Sequence, residues 1–155
     1  MEVVIMVSKI KVSETNIPEK DIQADASSIK YSLVKILDEQ KDNRFLIHDI
    51  WVAKKIFGKD FTTNLEAPNL EINVTQMKIH GKDGCNVFNG GITVLKGNNI
   101  EFGPLMATRK YCGEENISSQ FNKALHQTKS YKREGLTLVL LNERGDETLR
   151  LLKVD

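Results

Sequence analysis

The two cysteines of the chain, Cys85 and Cys112, are its most informative residues for chemistry. Each lies at the edge of a strand-like stretch, and the segment between them has the alternation and turn residues of a β-meander. A disulfide would close a loop of about 28 residues and stabilise the fold by roughly 3.5 kcal/mol, and it would require an oxidising compartment. Two reduced, buried thiols are the alternative, whereas a redox pair usually has the closer Cys-x-x-Cys spacing. The pattern favours a structural disulfide.

The other polar residues form no catalytic constellation in the sequence. His48, His80 and His126 belong to three different segments and have no metal-ligand spacing. Asp83 and Glu101 could approach each other, but carboxylates in turns are ordinary surface residues. Neither a phosphate-binding glycine loop nor a Gly-x-Ser-x-Gly motif is present. We therefore expect no enzyme activity, no cofactor and no metal.

The asparagines near the first cysteine have a structural and a functional interpretation. Asn86 and Asn89 adjoin a glycine pair that begins at Gly90, where turn bonding to the backbone is the expected role. A polar rim that recognises a ligand is the alternative. Arg109, next to Thr108, is expected to form a structural ion pair, although it could also contact an anion.

The composition indicates a folded domain and argues against binding of nucleic acid and against a segment that spans a membrane. The 155 residues are 40% hydrophobic and 28% charged, which suits one domain, or one of about 100 residues with an attached fragment. The net charge of +1 comes from 22 basic and 21 acidic residues, so no surface for nucleic acid is indicated. No apolar run is long enough to span a membrane. The apolar residues 1–7 fail as a signal peptide.

Hydrophobic periodicity predicts a protein made mainly of strands with one principal helix. Strands are predicted at 3–12 (buried on both faces), 29–37, 50–56, 70–74 and 76–80, and as hairpins at 92–95 with 100–102 and 136–141 with 148–154. Turns are predicted at 81–84 and 89–91. The helix is predicted at 114–129, with Glu114 and Glu115 in its first turn and Lys129 in its last. The fold class is thus α+β, with a curved, mainly antiparallel sheet or open barrel.

The order of these features resembles the META/HslJ family over roughly residues 46–155. The resemblance rests on the motif residues, which are Trp51, Gly84, Cys85, Asn86, Phe88, Gly90, Ala107, Thr108, Arg109 and Cys112. The chain has Ala107 where the family often has a further threonine, and Ile92 where an aromatic residue is usual. The resemblance implies a strongly bent antiparallel sheet with one or two packed helices. It also implies a bacterial envelope protein, often lipid-anchored and linked to stress or virulence, without an agreed activity.

The N-terminal segment is expected to be a separate part of the chain. Residues 2–37 resemble the C-terminal end of an uncharacterised domain that accompanies META domains in secreted proteins of Bacteroides-like bacteria. An N-terminal strand pair that completes the sheet is the alternative. The apolar-free run from Asp38 to Arg44 suggests a boundary. The predicted organisation is a strand pair at 1–37, a linker or exposed turn at 38–45 and a META/HslJ-like domain at 46–155.

These observations lead to an expected function that is not catalytic. We expect a monomeric envelope domain that binds an unknown protein partner or stabilises an assembly. Its location would be periplasmic, anchored to the outer membrane or secreted, if an export signal lies outside the sequence. The alternative is a carrier that holds a small apolar ligand or lipid in a cleft between sheet and helix.

Overall fold

The computed structural model describes residues 6–22, 27–63, 65–113 and 117–154. The chain divides into two compact units, with the division between Asp42 and Asn43. Each unit is considered by itself below.

The first unit is an antiparallel hairpin of two long strands. Strand β1 is Met6–Asn16 and strand β2 is Ile29–Lys41. The prediction that 3–12 is buried on both faces is wrong for residues 8–12, whose side chains are exposed, while residues 3–5 lie outside the described residues. A two-stranded sheet has no second layer of its own that could cover either face.

The charged run from Asp38 to Arg44, which was predicted to be a linker or an exposed turn, begins inside this hairpin. β2 continues through residues 38–41, because these residues pair with residues 6–9 of β1. A short 3₁₀ helix at Asn43–Ile47 then opens the second unit. A charged segment without apolar residues can therefore be strand here, since a neighbouring strand supplies its backbone hydrogen bonds.

The second unit is a curved sheet that closes into a ring, with one helix. Its elements are β3 (Asp49–Ile56), β4 (Lys59–Asp60), β5 (Asn69–Asn73), β6 (Lys78–Lys82), β7 (Val87–Lys96), β8 (Asn99–Phe102), β9 (Met106–Ala107), α1 (Ser118–Gln127), β10 (Ser130–Glu134), β11 (Thr137–Leu141) and β12 (Glu147–Lys153). The ring runs β3, β5, β6, β7, β8, β10, β11, β12 and back to β3, with every pair antiparallel. The short strands β4 and β9 pair with β3 and β7. The predicted fold class is confirmed.

Helix α1 buries the apolar stripe that predicted it. Phe121 and Leu125 are fully buried and Ile117 is nearly so, and the helix contacts β3, β8 and β12. The predicted residues Glu114 and Glu115 lie outside the described residues. The placement of Lys129 in the last turn is wrong, because Thr128 has extended backbone angles and ends the helix. The Lys129 amide instead donates to the carbonyl of Leu141 in the sheet.

Two turn predictions need correction. Asn89, Gly90 and Gly91 lie within β7 and not in a turn. The side chain of Leu105 packs closely against Gly90, since a Cβ on this glycine would lie 2.8 Å from Leu105 Cδ2. The predicted turn at 81–84 is only half correct, since its first two residues belong to β6. The strands at 29–37 and 50–56 and both predicted hairpins are confirmed.

Candidate functional site

The two cysteines form a disulfide that joins the loop after β6 to the segment after β9. The Cα atoms of Cys85 and Cys112 are 5.8 Å apart, and both residues are half-buried. The predicted disulfide is therefore confirmed, and the alternative of two reduced thiols is not. We call residues 83–86 and 107–112, which the bond connects, the motif clamp.

Asp83 organises the first half of the motif clamp from a buried position. Its side chain is 1% exposed, and Oδ1 accepts hydrogen bonds from the amides of Cys85 (2.9 Å) and Asn86 (2.6 Å). Oδ2 accepts a third from Nδ2 of Asn122 on α1, at 2.8 Å. A buried carboxylate is tolerated when donors surround it in this way. The residue that sequence analysis weighed as a general acid or base therefore holds the loop in shape.

Replacement of Asp83 by alanine is expected to lower the free energy of unfolding by about 2 kcal/mol, because three donors lose a charged acceptor. Urea denaturation followed by far-UV circular dichroism measures the loss. Asp60→Ala is the matched control, because Asp60 is 84% exposed and pairs with Lys55 at 3.5 Å. The control should change stability by less than about 0.5 kcal/mol. Equal effects of the two variants would contradict the role of Asp83.

Asn86 fixes the second half of the motif clamp. Its Oδ1 accepts hydrogen bonds from the hydroxyl of Thr108 (3.0 Å) and from the amide of Lys110 (2.7 Å). The Thr108 hydroxyl lies 3.2 Å from the Val87 amide, which donates to it. The predicted bonding of Asn86 within its own turn is thus replaced by bonds to a segment 22 and 24 residues away. Side-chain bonds and the disulfide together explain why Asn86 and Thr108 occur with the two cysteines.

Other motif residues lie in one row across the ring. Trp51, Leu70, Gly81 and Phe88 are directly opposite one another on β3, β5, β6 and β7, and Ala107 on β9 follows. The first four are buried, and the Phe88 ring packs on Phe121 of α1 with a centroid distance of 5.9 Å. The four buried positions of the row are core, so the motif residues among them, Trp51 and Phe88, contribute to the shape of the ring.

Trp51 also connects the buried row to the 3₁₀ helix at Asn43–Ile47. Its Nε1 donates to the carbonyl of Ile47, at 3.0 Å, in the 3₁₀ helix. The Arg133 guanidinium lies 5.1 Å from the Trp51 ring centroid and donates to the carbonyls of Leu46 and Gly135. Arg133 therefore combines a cation–π contact with hydrogen bonds that keep the 3₁₀ helix in place. Sequence analysis did not identify this arginine.

Arg109 is exposed, as are its motif neighbours Ala107 and Thr108. Within the described ranges no carboxylate forms an ion pair with it. The predicted structural ion pair is thus not seen in that part of the chain.

A groove lies on the outer face of the ring. Its volume is about 740 Å³, and it lies across β5, β6 and β7 beside the segment that leads into β9. Its lining comprises Glu71, Asn73, Gln76, Met77, Lys78, Ile79, His80, Asn89, Gly90, Gly91, Pro104 and Met106. We call it the outer groove.

The outer groove combines a polar row with apolar sides. Glu71, His80 and Asn89 are exposed and directly opposite one another on three adjacent strands, and Met106 is opposite Asn89. Met106 is 69% exposed and Met77 is 38% exposed. Asn89, which was considered for a recognition rim, thus lies in the groove, whereas Asn86 lies in the motif clamp. No sequence signal marked the two methionines, since the turn that carries Met77 and the strand that carries Met106 meet only in the fold.

The remaining candidates for chemistry do not converge. Glu101 pairs with Lys129 at 2.7 Å, whereas Asp83 is bonded within the motif clamp. His48 Nδ1 accepts from the Val74 amide at 3.3 Å, while His80 lies in the outer groove. Among the residues that the structure describes, no three potential metal ligands cluster. In that same part of the chain, no helix is long and apolar enough to span a membrane.

Comparisons with known proteins agree with this geometry. Two proteins solved by NMR share the fold. One is from Burkholderia xenovorans, with 21% sequence identity and a TM-score of 0.56, and the match covers 72% of this chain and 86% of that one. The other has 22% identity and a TM-score of 0.54, with 69% and 90% covered. No curated protein is significantly similar in sequence. The profile of the META domain matches residues 45–155, most of the chain, and the protein therefore belongs to the META domain family.

Proposed function

We propose that this META domain is a non-enzymatic binding module of the bacterial envelope. In this proposal its outer groove holds an extended segment of a partner protein. The observation that carries the proposal is the groove itself, an open and mainly apolar concavity of about 740 Å³ with exposed methionines on its sides.

The methionines suit a surface that accepts a peptide. Methionine is flexible and polarisable, so it adapts to irregular apolar side chains and is frequent on binding surfaces. Met77 also has a backbone φ of +54°, a left-handed conformation that costs a residue with a side chain roughly 1 kcal/mol. Strain of this kind concentrates at functional sites. The exposed and strained Met77 thus supports a role of the groove in recognition.

The packing of the core favours this function over the carrier alternative. The largest side chains between ring and helix, Trp51, Phe88, Phe121 and Leu125, are fully buried. They occupy the region where a cleft between sheet and helix would have to open. A small apolar ligand would therefore have to displace packed side chains, whereas the outer groove is accessible without rearrangement.

The disulfide supports an envelope location. Disulfides persist in oxidising compartments such as the periplasm and the cell exterior, and they are rare in the cytosol. Cys85 and Cys112 are paired, and the family resemblance implies envelope proteins. We propose a periplasmic, outer-membrane-anchored or secreted protein.

Photo-crosslinking tests the groove directly. A benzophenone amino acid replaces Met106 in the groove, or Leu136 as the control, because Leu136 is 58% exposed in the turn between β10 and β11. The full chain is expressed in a bacterial periplasm and irradiated. We expect position 106 to capture a defined protein that position 136 does not capture. Equal labelling patterns at both positions would contradict the proposal.

A groove variant measures the affinity. With the captured protein in purified form, Met77→Asp is expected to weaken binding about tenfold or more, because a charge would enter an apolar contact. Val94→Asp is the control, since Val94 has a similar exposure of 37% but does not line the groove. Native mass spectrometry of the unmodified chain covers the carrier alternative. A co-purified lipid, together with no protein crosslink, would replace the proposed function by that one.

A further inference from the structure

Two methionines supply much of the exposed apolar surface of the outer groove. The apolar side chains among its lining residues are those of Met77, Ile79, Pro104 and Met106, and Ile79 is only 1% exposed. Met106 is 69% exposed and Met77 is 38% exposed. Two of the three apolar side chains that a ligand would meet therefore carry a thioether sulfur.

The same two residues carry all the reduced sulfur of the second unit. The chain has four methionines and two cysteines, and the other two methionines, Met1 and Met6, belong to the first unit. Cys85 and Cys112 are already oxidised, because they are bonded to each other. Exposed methionine is readily converted to its sulfoxide. A mild oxidant that reaches the second unit therefore meets its reduced sulfur in the outer groove.

We propose that Met77 and Met106 are oxidation sites, and that their conversion to methionine sulfoxide closes the outer groove to its partner. The oxidant is hydrogen peroxide. The thioether sulfur attacks one peroxide oxygen, so that an S–O bond forms and the O–O bond breaks. The second oxygen takes the proton of the first and leaves as water, and the two electrons that sulfur loses are gained by the peroxide. The inference rests on the proposed function, because it concerns the same groove.

Sulfoxides change the apolar sides of the groove into polar ones. Oxidation turns a flexible apolar side chain into a polar one and disrupts interfaces that are rich in methionine. Met106 is directly opposite Asn89. It therefore continues the exposed row of Glu71, His80 and Asn89 onto a fourth strand, and a sulfoxide there extends the polar row to the side of the groove. An apolar partner segment would have to remove water from the sulfoxide oxygen without replacing its hydrogen bonds, which is costly.

Oxidation should leave the ring itself intact. Met77 lies in the turn between β5 and β6, and Met106 pairs with β7 through its backbone. Neither side chain belongs to the buried core. The far-UV circular dichroism of the oxidised chain should therefore match that of the unmodified chain, which separates a loss of binding from a loss of folding.

Peptide mapping by mass spectrometry tests the two sites without any partner. The full chain is treated with hydrogen peroxide, either folded or in urea, and the reaction is stopped at intervals with excess free methionine. In the folded chain both residues should react within about tenfold of their rates in urea, and Met106 should react faster than Met77, in the order of their exposure. Stronger protection of either methionine by the fold would overturn the assignment.

Affinity measured on the oxidised chain tests the closure of the groove. The chain is oxidised, freed of peroxide and titrated with the purified protein that crosslinking at position 106 captures. Oxidation should raise the dissociation constant about tenfold or more. The double variant Met77→Leu, Met106→Leu should lose this response, whatever its starting affinity, because leucine has no sulfur to oxidise. Met6→Leu is the control, since Met6 belongs to the first unit, and it should keep the full response.

The outcomes separate this inference from the proposed function. An unmodified chain that binds equally well before and after oxidation would overturn the inference and leave the proposed function standing. A full response of the double variant would also overturn it, because another residue would then be responsible. If crosslinking captures no partner, the proposed function fails and the closure of the groove fails with it, while the peptide mapping still decides the two oxidation sites.

Discussion

Replacement of both Cys85 and Cys112 by serine is expected to lower the free energy of unfolding by about 3.5 kcal/mol. The disulfide joins residues 27 apart in the chain, and its loss frees this loop in the unfolded state. In the folded state the hydrogen bonds of Asp83 and Asn86 hold the motif clamp without the covalent bond. The variant should therefore fold to the same ring, with a lower urea midpoint and a somewhat steeper denaturant slope, because the unfolded chain without the crosslink is less compact.

Reduction provides the internal control for this prediction. Unmodified protein in a strong thiol reductant should lose about the same stability as the double serine variant, whereas the variant itself should not respond to reductant. Thiol alkylation under denaturing, non-reducing conditions should label neither cysteine of the unmodified protein. A loss below about 1 kcal/mol would mean that the unfolded chain is already compact over residues 85–112.

Within the ring, the strands that sequence predicted correctly have apolar residues that face the core. β3 and the hairpin of β11 and β12 have apolar residues at the positions that the fold buries, so local pattern and tertiary structure agree. Helix α1 was predicted for the same reason, from Phe121 and Leu125 at helical spacing. In each case the information lies within one segment.

The secondary-structure predictions failed where contacts with a distant part of the chain determine the conformation. The pair Gly90 and Gly91 suggested a turn, yet both lie in β7 because they pair with Ile79 and Lys78 of β6. Strand β10 was not predicted at all, since Tyr131 is its only fully buried residue. Its inner position at Arg133 holds a charged residue that stacks on Trp51. Neither contact can be inferred from the residues next to it in the chain.

In the candidate site, too, the features that depend on one segment were predictable and those that depend on distant segments were not. The motif clamp was predictable in part, because cysteine spacing and asparagine–glycine chemistry indicate a bonded loop. The function of Asp83 was not, since its third donor, Asn122, is 39 residues away on the helix. The outer groove was missed because its two methionines come from a turn and from a short strand far apart in sequence. A groove formed by the outer face of a ring exists only once the ring is closed.

Gly81 makes the buried row of the ring possible. Gly81 is opposite both Leu70 and Phe88 on the neighbouring strands. A Cβ on Gly81 would lie 2.1 Å from the backbone oxygen of Asn69 and 3.1 Å from Cζ of Phe88. The absent side chain thus leaves room for the Phe88 ring, which packs on Phe121 of α1.

Gly81→Ala is therefore expected to destabilise the protein by about 3 kcal/mol, at the upper end of the cost of overpacking, because a backbone atom cannot rotate away. Gly91→Ala is the matched control, since its Cβ would meet only the Met77 oxygen at 4.0 Å. An alanine there should be neutral or slightly stabilising, because glycine lowers strand stability. Urea denaturation of both variants measures the difference. If Gly81→Ala were as stable as Gly91→Ala, β5 and β6 would have to separate without cost, and the buried row could not be what sets the shape of the ring.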